Sequence, residues 1–115
     1  MPATEKDKRI LVQILRYCEK IDATVNRFGK DFHAFADDAD YLDSVSMNIL
    51  QIGEFAGRLS DEFVSETILQ INWRAVKNMR NLFAHNYNSV DVDVVWESVL
   101  HDIPVLEEFC KSQLE

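Results

Sequence analysis

The stretch Leu11-Val12-Gln13-Ile14-Leu15-Arg16-Tyr17-Cys18-Glu19-Lys20-Ile21-Asp22-Ala23-Thr24-Val25-Asn26-Arg27-Phe28-Gly29 decides the fold. Leu11, Ile14, Cys18, Ile21, Val25 and Phe28 recur at alternating spacings of three and four. A repeat near 3.6 residues puts all six on one side of a long helix, with the apolar stripe turned toward a core. Thr4 is the expected N-cap, and Gly29 the expected left-handed stop.

Working outward, Asp31 to Asp40 reads as a connector with a short helical turn around Phe32 to Phe35. A second stripe follows at Leu42, Val45, Ile49, Ile52, Ala56 and Leu59, preceded by Asp37, Asp38 and Asp40, as a helix N-terminus favours. Gly53 and Gly57 lie one turn apart inside it. Each costs about 1 kcal/mol relative to Ala, so close approach of a neighbouring backbone is expected to offset the loss. Ser60 is placed to cap a short third helix, about Asp61 to Leu69, and Asn72 a fourth, from Trp73 to about His85. Asn86-Tyr87-Asn88-Ser89 reads as a turn. Asp91 opens a long fifth helix with Val92, Val95, Trp96, Val99, Ile103, Leu106 and Cys110 inward. Pro104 should kink that helix without ending it, because the apolar period continues past it. There is no strand-like alternation, internal repeat or low-complexity stretch. Long amphipathic helices with short links predict an all-α, antiparallel four-helix-type bundle with an extra short helix.

The 115 residues suit one domain, 1–115, around one core. A hydrophobic share of 47% argues against disorder, and 3 Gly with 2 Pro argue against many-turned all-β architectures. No apolar run approaches the ~20 residues of a membrane span, and the start lacks the pattern of a secretory signal. Cys18 and Cys110 sit among apolar residues and read as reduced core thiols of a cytoplasmic protein. Neither belongs to a zinc-ligand spacing, so no metal or cofactor is expected.

Net charge is −8, which opposes broad phosphate tracking. Its distribution says more. No Asp or Glu lies between Glu66 and Asp91, a window holding Arg74, Lys77 and Arg80. The window carries +3, so the remaining chain carries −11. One cationic island on an acidic body fits a small anionic site such as a scissile phosphate.

On a wheel of about 100° per residue starting at Trp73, Ala75, Val76, Met79, Leu82 and Phe83 fill the buried arc, and Arg74, Lys77, Asn78, Asn81 and His85 the polar arc. Asn81 and His85 are i,i+4 neighbours. Arg80 lies on the border, about 140° from His85, so a second copy of the helix across a two-fold axis is one way to bring the pair together. A guanidinium grips phosphate oxygens and stays charged as negative charge grows. An imidazole of ordinary pKa takes a proton from a ribose 2′-hydroxyl near neutral pH. Asn81 can orient either group. No carboxylate cluster lies nearby in sequence to hold magnesium, so cleavage here would be metal-independent. Blander readings exist. A His in a last helical turn complements the helix dipole, Arg80 can pair with an acid on a neighbouring helix, and Tyr87 can anchor a turn.

Arg80-Asn81-Leu82-Phe83-Ala84-His85-Asn86-Tyr87 resembles the R-x-x-x-x-H-x-Y signature of HEPN domains, specifically the HepT-like toxins. Gln51-Ile52-Gly53-Glu54, Trp73, Met79-Arg80-Asn81, Val90-Asp91 and Val95-Trp96 resemble the same family in the same order, over roughly Leu42 to Leu106. The resemblance implies a homodimer whose motif helices line a shared cleft. It implies an endoribonuclease toxin of a type II-like toxin–antitoxin pair, with RNA as substrate and tRNA the class suggested. The implied partner is an MntA-type nucleotidyltransferase antitoxin that transfers AMP to the motif tyrosine. By position, Arg80 and His85 would be the catalytic pair, Asn81 the polar helper and Tyr87 the AMPylation site. The alternative is a non-catalytic helical partner that docks a nucleotidyltransferase and presents substrate to it. A third reading is a bundle used only for assembly.

Overall fold

A computed structural model describes residues 4–83 and 91–115. Their elements are α1 (Glu5–Phe28), α2 (Phe32–Asp37), α3 (Ala39–Ala56), α4 (Asp61–Thr67), α5 (Trp73–Asn78) continuing as a 3-10 segment (Met79–Phe83), α6 (Val92–Glu97), a π-helical turn (Ser98–Asp102) and α7 (Ile103–Leu114). The described residues contain no strand, and none of their helices is long and apolar enough to cross a membrane.

The caps fall where short polar side chains can accept orphan N–H groups. Thr4 accepts from Asp7 N, Asp31 from Ala34 N, Asp38 from Asp40 N and Tyr41 N, Ser60 from Phe63 N, Asn72 from Ala75 N and Asp91 from Asp93 N. Gly29 ends α1 at φ 107°, ψ 140°, a positive-φ conformation that favours glycine, though not the left-handed helical cap expected. Its N–H still bonds Val25 O at 2.8 Å.

Two cross-links fix the direction of α3 against α1. Tyr41 Oη, at the start of α3, donates to Gly29 O at the end of α1, 2.9 Å away. At the other end, buried Asp7 near the start of α1 accepts from Ser60 N at 2.8 Å and Ser60 Oγ at 2.7 Å, just past α3. The helices therefore run antiparallel. α7 returns antiparallel to α1 as well: Pro104 shares a cleft with Val25 and Lys30, while Cys110, further along, neighbours Cys18. The stripe residues Leu11, Ile14, Cys18, Val45, Ile49, Ile52, Ile103, Leu106 and Cys110 are all buried between these three helices. The expected all-α antiparallel bundle is observed.

Two aromatic groups close the ends. Phe35 stacks on Trp96 at 4.9 Å, and Tyr41 meets Phe35 edge-on at 5.1 Å, tying α2, α3 and α6 together. Trp73 packs edge-on to Phe109 at 5.6 Å and donates from Nε1 to Thr67 Oγ1 at 2.8 Å. Both thiols are free and buried. Burial raises them, Cys18 far up and Cys110 to about 12, which leaves them inert neutral hydrophobes.

Several expectations need correction. α4 stops at Thr67, short of Leu69, which is 99% exposed. The fourth helix is not α-helical throughout, because it tightens to 3-10 at Met79. Ala75 is exposed, while Leu82 and Phe83 are only half-buried. The fifth helix passes through Pro104 as expected, but by a specific device. Ile103 N–H bonds Ser98 O, five residues back, so the backbone widens just where the proline would collide with the preceding turn.

Candidate functional site

Trp73 sets the rotational phase of α5. Its ring is 1% exposed, held by Thr67 and Phe109, so Val76 and Met79 also point inward, and Arg74, Lys77 and Asn78 are left at the surface. The chain then tightens. Asn78 and Asn81 are weak helix formers, and helix ends commonly narrow to i→i+3 pairing. Past Asn78 the uniform 100° wheel therefore no longer applies.

Arg80 is the second residue of the 3-10 segment and is half-buried. Its position is governed by α3. Gly53 lies against the α5 junction so closely that a Cβ there would stand 3.2 Å from Arg80 Cβ, 3.3 Å from Arg80 N and 3.3 Å from Lys77 O. Gly53 therefore meets the expected close approach. Gly57 does not: a Cβ there would make only ordinary contacts, the nearest at 3.5 Å.

The next residue on α3, Glu54, takes the guanidinium. Arg80 Nη1 donates to Glu54 Oε1 at 3.3 Å, with the two side chains 42% and 45% exposed. An ion pair so open to water contributes about 0–1 kcal/mol. It orients Arg80 without locking it, and a phosphate, which also offers anionic oxygens, can compete for the guanidinium. The sequence suggests an acid partner for Arg80 and a close backbone approach at Gly53, but not their connection. The signal lay in the Gly-Glu pair: the glycine admits the helix and the carboxylate meets its arginine. In space, Glu54 thus offsets part of the charge that the acid-free window carries in sequence.

Asn81 follows on the same tightened turn, exposed to solvent. His85 and Tyr87 lie outside the described residues, so of the candidate residues the structure describes Arg80, paired with Glu54, and its chain neighbour Asn81. No three His, Cys, Asp or Glu side chains among the described residues converge as metal ligands would.

The protein-family model described as "Ribonuclease HepT-like" matches residues 14–113. The chain belongs to that family. Among curated relatives of this HepT-like chain, "Putative RNase TTE0752" of Caldanaerobacter subterraneus subsp. tengcongensis is 30% identical over 105 residues, covering 91% of each chain. "Probable ribonuclease HepT" of Thermococcus cleftensis is 38% identical over 56 residues, covering 49% of this chain and 50% of its own. No solved structure matches the HepT-like chain significantly.

Proposed function

We propose that the protein is a homodimeric, metal-independent endoribonuclease toxin, silenced when a nucleotidyltransferase antitoxin transfers AMP to Tyr87. Family membership and the ribonuclease names of the relatives support RNA as the substrate. The observation that carries the reading is the setting of Arg80, braced by Gly53, half-exposed, and held by a weak surface pair at the head of the sequence leading to His85.

In this reading His85 removes the proton of a ribose 2′-hydroxyl. The freed oxygen attacks the adjacent phosphorus, the bond to the 5′-oxygen breaks as that oxygen takes a proton from water, and a 2′,3′-cyclic phosphate and a 5′-hydroxyl result. Arg80 leaves Glu54 to neutralise the charge growing on the phosphoryl oxygens, and Asn81 hydrogen-bonds the phosphate or the imidazole. AMP on Tyr87 adds negative charge and bulk two residues from His85, which repels the RNA backbone.

The test is RNA cleavage by the purified protein in EDTA, with the termini identified. Wild type is expected to cut and leave cyclic phosphates, and His85→Ala and Arg80→Ala to lose at least about a hundredfold in rate, as removal of an acid–base or oxyanion group does. Undiminished cleavage by His85→Ala would refute the nuclease. Tight RNA binding without turnover would favour the non-catalytic partner. Intact mass after co-expression with the transferase tests the modification, since a Tyr87→Phe protein that still gains AMP has another acceptor.

A further inference from the structure

One helical turn before Arg80, a cleft of ≈ 370 Å³ opens between the end of α3, α4 and α5. Arg74 and Lys77 line it, opposite an apolar wall that includes Leu59, Val64 and Ile68. Arg74, Lys77 and Arg80 follow one another at i, i+3 and i+6, so the two cleft residues continue the ridge that ends at the candidate catalytic guanidinium. Both are exposed, and neither is in an ion pair among the described residues, whereas Arg80 is. Gly57 leaves the mouth open, since a Cβ there would stand 3.8 Å from Lys77 Cε.

We infer that this cleft is a flanking subsite for single-stranded RNA, with Lys77 and Arg74 holding successive backbone phosphates beside the one at Arg80. The inference rests on the ribonuclease reading above and names where its substrate lies. A cationic rim over an apolar wall is the arrangement that tracks a flexible strand: ammonium and guanidinium groups take the phosphates while sugar and base lie on the wall. It also reconciles an acidic protein with a polyanionic substrate. The rest of the chain carries a net negative charge, so binding is biased toward a strand that reaches Arg80. Asp61, also in the cleft, sets the limit of the track by its opposite charge.

The experiment measures binding of a fluorescein-labelled, mixed-sequence single-stranded RNA oligomer to the full-length His85→Ala protein across a salt series, with wild-type cleavage followed in parallel. Arg74→Gln/Lys77→Gln is expected to weaken binding about tenfold or more and to flatten the plot of log K against log salt by about 1.4, two contacts at about 0.7 each. Gly57→Glu is expected to weaken binding in the same direction while the protein stays folded, since its φ of −66° accepts a side chain. If wild type cleaves RNA while these variants bind within about twofold of the parent and keep its salt slope, the subsite is wrong and the nuclease stands. If wild type neither cleaves nor binds RNA, both fall.

Discussion

An ideal Cβ on Gly53 would press on Arg80 Cβ at 3.2 Å and on two backbone atoms at 3.3 Å, while one on Gly57 has nothing within 3.4 Å. The two glycines, alike in sequence, should therefore respond oppositely to a single methyl group. Gly53→Ala is expected to cost about 1–3 kcal/mol by overpacking and to slow RNA cleavage by displacing Arg80. Gly57 is not inside α3 as expected but at its C-cap, at φ −66°, so Gly57→Ala is expected to gain about 0.4–1 kcal/mol by restricting the unfolded chain. Urea denaturation of both variants checks the signs, and equal effects would contradict the packing account. Spacing alone could not separate the two positions, because which glycine touches α5 depends on how the helices cross.

Between elements, two carboxylates with opposite shifts, buried Asp7 and exposed Asp22, predict the pH dependence of stability. Burial works against the charge of Asp7, but hydrogen bonds from Ser60 and Thr4 outweigh it and hold the carboxyl below its ordinary 3.8. The stabilisation is present above about pH 4 and is lost as pH falls through the depressed value. Asp7→Ala should cost about 2–3 kcal/mol at neutral pH, from bonds to a charged group, and progressively less in acid. Asp22 on α1 shows the reverse. Desolvation first, then hydrogen bonding and repulsion with Glu107 on α7, raise it to about 6. Between about pH 4 and 6 the native state binds more protons than the unfolded one, so stability falls as pH rises through that window. Asp22→Asn should thus stabilise at pH 7, by about 1 kcal/mol once screening at this exposed position is counted. The gain should vanish near pH 4 in a thermal-melt series. The helices and their caps were legible because they are local: Ser60, Asn72 and Asp91 each precede an apolar period, and their side chains accept the expected N–H groups. Asp7 was not legible, because its partner Ser60 lies 53 residues away. Nor was the narrowing at Met79, since the apolar period across Val76, Met79 and Phe83 suits an α-helix as well.

In the whole molecule, α1 runs antiparallel to both α3 and α7, and α5 is laid against α3 and α7 with its basic ridge outward. The bundle follows from the stripes, while the candidate site follows from one crossing, Gly53-Glu54 under Arg80, that no single stripe specifies. The proposed site draws Arg80 and His85 from two protomers. Mixing inactive subunits tests that claim directly. Arg80→Ala and His85→Ala chains, unfolded and refolded together, form mixed dimers in which one of two composite sites is intact and the other lacks both groups. Random pairing makes half the dimers mixed, so the refolded mixture should recover about a quarter of wild-type RNA cleavage. A mixture as inactive as either parent would contradict a site shared between subunits.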